Sequence, residues 1–149
     1  MTSQDEDGSI VPPGFERLKR GGPYMASLGY LYCRRSDGEI VIAMRITEQH
    51  TNMRGIVHGG MLASLADSAL GLGLTMACEG RNSFVTVNLS TDFIDAARPG
   101  DWVEAHVHIG RIGSRVALAD GELLVDEEGE ETTDIGASGM TAAQLDAGY

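Results

Sequence analysis

Residues 60–78 impose the strongest constraint on the fold, because a helix built from them is apolar on almost every face. A helix of this kind is normally buried. One narrow side differs, since it carries small or polar residues at helical spacing: Gly60, Ser64, Asp67, Ser68, Gly71 and Thr75. We therefore predict a long buried helix with one stripe that a ligand or a second backbone can approach closely.

The predicted helix begins at a His-Gly-Gly motif, His58-Gly59-Gly60. The first turn of a helix has backbone N–H groups without intrahelical acceptors and a partial positive charge, so it can stabilise an oxyanion. Asp67 follows Gly60 by about two turns of ~3.6 residues, which places it on nearly the same side of the helix. A carbonyl-polarising helix end and a carboxylate on one stripe indicate a hydrolase that attacks a carbonyl group.

The rest of the chain mostly shows the alternating pattern of β-strands. The predicted strands cover residues 24–34, 40–46, 85–93, 102–109, 115–125 and 130–140. Asp37-Gly38 predicts a hairpin turn, and a second turn is expected at 127–129. Residues 13–20 are expected to form a short helical turn and 48–57 a loop. One long buried helix among hairpin-type strands predicts an α+β domain, with an antiparallel sheet wrapped around the helix.

Length and composition restrict the function classes. The 149 residues suit a disordered acidic tail at 1–12 followed by a single domain at 13–149. Eleven basic against 22 acidic residues give a net charge of −11, which argues against a nucleic-acid surface. Asp67 and several Gly and Ser residues make the longest apolar run unsuitable for a membrane span, and no secretory signal is visible, so we expect a cytoplasmic protein. Cys33 and Cys78 provide neither a disulfide framework nor a metal-ligand spacing.

Several segments together resemble the hotdog-fold thioesterases, specifically the acyl-CoA thioesterase branch related to the phenylacetic-acid-pathway enzymes, within the 4-hydroxybenzoyl-CoA thioesterase superfamily. The resemblance covers roughly residues 23–140. It rests on His50-Thr51-Asn52, His58-Gly59-Gly60, Asp67, Val85-Thr86-Val87-Asn88, Phe93, Arg98-Pro99-Gly100-Asp101 and the run from Gly110 to Arg115. It implies a hotdog fold and a homodimer, or a dimer of dimers, in which two sheets join edge to edge. It also implies two interface sites, each built from both chains.

The same resemblance implies roles for individual residues. Asp67 corresponds to the carboxylate that activates water or attacks the thioester. Gly59 would polarise the carbonyl through its N–H, and Asn52 through its side chain. His58 would organise substrate and loop, and Thr86 would place a hydroxyl near the reacting water. The implied substrate-binding residues are Gly60, Asn88, Phe93, Arg111, Ile112, Gly113, Ser114, Arg115 and Val116. Since a thioester is already reactive, no metal or other cofactor is expected.

Some of these residues also have purely structural interpretations. His58 alone is more typical of a capping or packing histidine, and Asn52 is an ordinary loop residue in most proteins. If Val85 and Val87 face the helix, strand alternation turns Thr86 away from it.

Charged side chains on the later strands also allow two interpretations. Arg111 and Arg115 suit either solvated strand ends or a contact with the phosphates of CoA. Glu104, His106 and His108 share one strand face and have the residue types of a metal site. An exposed strand face is the preferred explanation, because no further ligand is close in sequence.

The sequence therefore predicts hydrolysis of acyl-CoA to a free acid and CoA. Two alternatives on the same fold remain: a non-catalytic acyl-CoA sensor, and an enoyl-CoA hydratase that pairs an acid with a histidine near the helix start. The acyl group is open between aromatic and aliphatic, and candidate pocket residues are Phe15, Tyr24, Tyr30, Tyr32 and Phe93. An acyl-carrier protein in place of CoA is also open.

Overall fold

A computed structural model describes residues 3–5, 8, 10–127 and 131–145. The elements are strands β1 Ser3–Gln4, β2 Ile10–Val11 and β3 Glu16–Leu18; helix α1 Gly22–Leu28; strands β4 Leu31–Ser36 and β5 Glu39–Arg45; helix α2 Gly59–Ala77; and strands β6 Ser83–Phe93, β7 Trp102–Ile112, β8 Val116–Glu127 and β9 Glu131–Leu145. A single 3₁₀ turn, Glu48–His50, lies in the loop before α2. The turn predicted at 127–129 lies largely outside the described residues.

Seven antiparallel strands form one sheet in the order β3-β4-β5-β7-β8-β9-β6, and α2 packs against one of its faces. The core between them contains Leu65, Leu70 and Leu74 from the helix, with Ile42 and Leu123 from the sheet, all at most 2% exposed. The predicted α+β architecture and the predicted buried helix are thus confirmed. Within the described ranges, α2 alone has the length and hydropathy of a possible membrane span, but here it packs as the core helix against the sheet.

The hairpin predicted at Asp37-Gly38 is confirmed. Both residues have positive φ angles, 49° and 79°, which is the backbone geometry of a type I′ turn. Ser36 pairs with Glu39 directly across the turn, so the register of β4 and β5 follows from it. This two-residue turn fixes which side chains of β5 face α2.

A second apolar cluster covers the sheet face opposite α2, where the sequence predicts a disordered tail. Two short strands pair Ser3 with Val11 and Gln4 with Ile10. Val11 is only 4% exposed and packs with Phe15, whose ring meets the Trp102 ring edge-on at a centroid distance of 5.2 Å. Burial of these side chains favours an ordered arrangement for the described part of this segment, and it places strand β3 within 13–20 instead of the predicted helical turn.

The strand predicted at 24–34 is wrong in its first half, which forms α1. Gly21 and Gly22 have φ angles of 114° and 80°, so the backbone turns sharply before the helix. Pro23 then occupies the first turn, where a missing N–H costs nothing. Gly29, with φ 137°, ends the helix, and β4 starts two residues later. Glycine and proline geometry therefore overrides the aromatic alternation of this segment.

The strand face that carries His106 is not exposed as predicted, because Glu104 is only 3% exposed. Both nitrogens of the His106 ring are hydrogen-bonded, Nδ1 to Glu39 and Nε2 to Glu104, each at 2.8 Å. The indole N–H of Trp102 donates to the other oxygen of Glu104 at 3.1 Å. The hydrogen bond to Glu104 is the largest cause that raises the pKa of His106, the Glu39 contact adds to it, and burial opposes both.

We predict that this histidine makes the stability of the fold depend on pH. The folded-state pKa of His106 lies above its ordinary value of 6.5, so its contribution is fully present below about pH 6.5. That contribution is lost as the pH rises through the folded-state pKa. Denaturant unfolding from pH 5.5 to 9 should show that His106→Gln loses most stability, relative to the parent, at the acidic end. Glu122 lies opposite His106 on β8 and is the further carboxylate that faces it across the strands.

His108→Asn is the matched control, because His108 is exposed and belongs to the same strand. It should leave the pH profile of unfolding unchanged. A His106→Gln stability difference that is constant across the whole pH range would contradict the assignment.

Candidate active site

Asp67 lies half-buried on the small-residue stripe of α2, as the sequence predicts. The hydroxyl of Thr86 on β6 donates a hydrogen bond of 2.6 Å to Asp67 Oδ1. The structure thus brings together the carboxylate and the hydroxyl that the family resemblance pairs. With one oxygen held by Thr86, the second Asp67 oxygen is available to a water molecule or a substrate.

The condition under which Thr86 would turn away from the helix is not met. Val85 and Val87 are 42% and 64% exposed, so they do not face the helix. Thr86 pairs with the buried Ala142, and the register shifts between Thr86 and Asn88. This β-bulge inserts Val87 as an extra residue, so the alternation of residues between the two sheet faces is shifted by one position after it. An alternation pattern read from the sequence through the bulge therefore assigns residues on its far side to the wrong face.

His58 is the N-cap of α2, and its Nδ1 accepts a hydrogen bond of 2.8 Å from the Gly60 N–H. The Gly59 N–H has no acceptor among the described residues. The Phe93 ring lies over Gly59, since a Cβ atom placed there would be 3.5 Å from the ring. The helix start therefore presents one free donor beside an aromatic ring that is more than half exposed.

Asn52 lies in the loop before α2 and makes three hydrogen bonds within that loop. Its Oδ1 accepts from the Arg54 N–H at 2.9 Å, and its backbone bonds to Ile56 and Gly55. With Oδ1 occupied, the side-chain NH₂ is the group available for a ligand. No contact between Asn52 and Asp67 of the same chain occurs in the described structure.

His50 fixes this loop and was missed as a functional position. It is buried; its Nδ1 accepts from the Thr47 N–H at 2.9 Å, and its Nε2 bonds to the Leu28 carbonyl of α1. Its own carbonyl accepts from the His58 N–H at 2.9 Å. The signals in the sequence are its place in the His50-Thr51-Asn52 segment of the family resemblance and its proximity to the His-Gly-Gly motif.

The predicted substrate-binding residues of 111–116 form the tip of the β7–β8 hairpin. The Gly113 N–H donates to the Val116 carbonyl at 2.9 Å, and Gln144 of β9 bonds to the backbone of Gly113 and Arg115. The predicted residues Ile112 and Ser114 are exposed in the same tip.

Asn88 and Arg111 lie on the sheet face opposite α2. Both align with Leu118, Arg111 directly and Asn88 through Thr141 of β9. Leu118 is exposed and alternates with two buried alanines that pack towards the helix. Within one chain, therefore, the structure does not bring Asn88 or Arg111 to the face that carries Asp67.

Comparison with known proteins shows the family, since the family model of the thioesterase superfamily matches residues 54–132. The chain belongs to the thioesterase superfamily. A Pseudomonas aeruginosa protein with an inferred esterase function is 41% identical over 114 residues, which cover 76% of this chain and 85% of that protein. Mouse acyl-coenzyme A thioesterase 13 is 32% identical over 111 residues, 74% of this chain and 73% of that enzyme.

The fold of this superfamily member is the hotdog fold. A variant of the phenylacetic acid degradation protein PaaI from Thermus thermophilus superimposes with a TM-score of 0.69 at 28% identity, covering 83% of this chain and all of that one. The family resemblance inferred from the sequence is thereby confirmed.

We predict that His58 contributes to stability through its cap. His58→Ala removes the acceptor of the Gly60 N–H and should lower the free energy of unfolding by about 1 kcal/mol. His58→Asn supplies a short side-chain acceptor at the same position and should recover most of that loss. Urea unfolding of the three proteins checks this. Equal stability of the alanine variant and the parent would show that the cap contributes nothing.

Proposed function

We propose that this protein hydrolyses acyl-CoA thioesters to a free acid and CoA. The single observation that carries the proposal is the hydrogen bond from Thr86 to Asp67, formed on the accessible small-residue stripe of the core helix. Membership of the thioesterase superfamily and the similarity to an acyl-coenzyme A thioesterase support the substrate class. We also propose a cytoplasmic location and a reaction that needs no metal or organic cofactor.

Asp67 provides the chemical step in this proposal. The Thr86 hydroxyl holds Oδ1 and orients the carboxylate, so the other oxygen can either take a proton from water or attack the thioester carbon. Both routes end with cleavage of the carbon–sulfur bond and departure of the CoA thiolate. The negative charge that develops on the carbonyl oxygen requires donors on its other side.

The distance along α2 indicates that those donors come from a second chain. Gly59 and Asp67 are eight residues apart, which corresponds to about 12 Å at ~1.5 Å per residue. A carbonyl group within hydrogen-bond distance of one cannot also contact the other. We propose a two-fold dimer in which Gly59 and Asn52 of one protomer polarise the carbonyl that faces Asp67 of its partner.

The sheet offers an edge for this dimer. β6 is the outermost strand, and its exposed Val85 and Val87 are apolar. An unpaired apolar edge favours pairing with another strand. At the β7–β8 tip, Arg111 and Arg115 are exposed cations that suit the phosphates of CoA.

Membership of the thioesterase superfamily favours hydrolysis over the hydratase alternative. A hydratase of the kind considered needs a histidine near the helix start as a proton-transfer partner. His58 Nδ1 accepts from the Gly60 N–H, so only Nε2 of this ring could take that role. Thiol release from a saturated acyl-CoA distinguishes a hydrolase both from a hydratase and from a sensor that only binds.

We predict that Asp67→Asn lowers the turnover number for acyl-CoA hydrolysis by at least about a hundredfold, because it removes the base or nucleophile while preserving shape. The Michaelis constant should change little. Thr86→Val should lower turnover less, and Thr86→Ser should retain most activity because it keeps the hydroxyl. A thiol-reactive dye measures CoA release.

Turnover of Asp67→Asn within about threefold of the parent would contradict the role of Asp67, since general-base groups normally contribute far more. Loss of an enoyl thioester without thiol release would favour the hydratase instead.

We further predict complementation between Asn52→Ala and Asp67→Asn chains, each nearly inactive alone. If one chain supplies Asn52 and the other Asp67, a mixed dimer has one intact site and one site with both changes. Random mixing gives about half mixed dimers, so about a quarter of all sites should recover. The two variants are unfolded and refolded together, mixed dimers are confirmed by native mass spectrometry, and thiol release is measured.

The matched control places both changes in one chain and mixes it with the parent. Shared sites then leave activity only in parent homodimers, about a quarter of the parent value, whereas sites built within one chain would leave about half. No recovery in the first mixture, together with half activity in the second, would show that each chain builds its own site.

A further inference from the structure

Tyr24 of α1 reaches the small-residue stripe of α2 at Ser64. Its hydroxyl lies 2.8 Å from Ser64 Oγ. Ser64 in turn donates to the Gly60 carbonyl at 2.9 Å, so the proton of the Tyr24–Ser64 hydrogen bond comes from the tyrosine. The phenol ring is nevertheless 62% exposed. The Tyr24 side chain is thus fixed through its hydroxyl group while most of its surface is exposed to solvent.

The position of α1 is fixed by contacts on its other sides. Met25 is buried in the main core, and the carbonyl of Leu28 accepts hydrogen bonds from Gln49 and His50. The Ser27 hydroxyl donates to the Tyr24 carbonyl at 2.5 Å. Because α1 is anchored in this way, Tyr24 presents its ring in a defined place.

Ser64 and Asp67 are three residues apart on the same stripe, which corresponds to about 4.5 Å along the helix at ~1.5 Å per residue. Tyr24 therefore approaches the stripe within about one helical turn of the carboxylate. Thr86 approaches Asp67 itself from β6. The stripe thus has Tyr24 of α1 beside Ser64 and Thr86 of β6 beside Asp67.

We propose that Tyr24 is a specificity-determining residue, whose ring limits the space beside Asp67 and restricts the substrate to acyl groups of a few carbon atoms. The inference rests on the proposed thioester hydrolysis and adds the class of acyl group to it. An acyl chain whose carbonyl lies at Asp67 and which extends towards the helix start meets the ring after about one turn. Longer chains would have to displace the phenol and break its bond to Ser64.

The test compares kcat/KM for butyryl-CoA and dodecanoyl-CoA in the parent, Tyr24→Ala, Tyr24→Phe and Tyr30→Ala. Removing the ring should raise the dodecanoyl-to-butyryl ratio by about tenfold, since a few buried methylenes change such ratios by this order. Tyr24→Phe keeps the ring and should stay within about twofold of the parent ratio. Tyr30 is the matched control, because its ring contacts the Arg17 guanidinium at 3.4 Å instead of the α2 stripe.

An unchanged ratio in Tyr24→Ala, or an equal rise in Tyr30→Ala, would overturn the role of Tyr24 while leaving thioester hydrolysis intact. A folded parent that releases no thiol from either ester would instead refute the proposed function, and the inference with it. A rise confined to Tyr24→Ala supports the proposal.

Discussion

The packing of α2 against the sheet is the interaction on which the rest of the structure depends. The buried face of the helix consists mainly of leucines and alanines that fill the main core, so a ligand cannot reach that face. Gly60, Ser64 and Asp67 lie outside the buried face, because their side chains are too small or too polar to contribute to the core. The same pattern of residues therefore packs one face of the helix and leaves the carboxylate on an accessible one.

The β-bulge in β6 allows Thr86 to hold the accessible Asp67 carboxylate in one orientation. Without it, the valines and Thr86 would follow one uninterrupted alternation along the strand. With it, Thr86 faces Asp67 while Leu89, after the bulge, packs against the core. The same irregularity leaves Val85 and Val87 exposed at the sheet edge, where our proposed partner would bind. The inserted residue thus affects both the orientation of Thr86 in the site and the exposure of the valines on the neighbouring surface.

The architecture could be predicted from sequence because its signals are strong and regular. The helix at 60–78 and the Asp37-Gly38 turn were predicted from hydrophobic pattern and turn chemistry alone. The predictions failed where tertiary contacts or backbone geometry determine the local structure. The segment of α1 forms a helix between glycines although the sequence pattern suggests a strand. The orientation of Thr86 depends on a bulge that no residue type in the strand predicts. The candidate site residues follow from the His-Gly-Gly motif, the acid on the helix and the family resemblance. Tyr24 is a candidate pocket residue in the sequence, but its contact with Ser64 depends on α1, which the sequence pattern assigns to a strand.

Two imidazole rings hold the start of α2, and both use Nδ1 as an acceptor. His50 accepts from the Thr47 N–H, and His58 accepts from the Gly60 N–H. In both bonds the backbone N–H is the donor and the lone pair of Nδ1 is the acceptor. His50 also bonds to α1 through Nε2 and to His58 through its backbone carbonyl, so it connects α1, the Asn52 loop and the helix cap. The Asn52 side chain, the Gly59 N–H and Tyr24 consequently all depend on the contacts of His50. A substitution that removes these contacts would shift all three groups, while the hydrogen bond between Asp67 and Thr86 would remain.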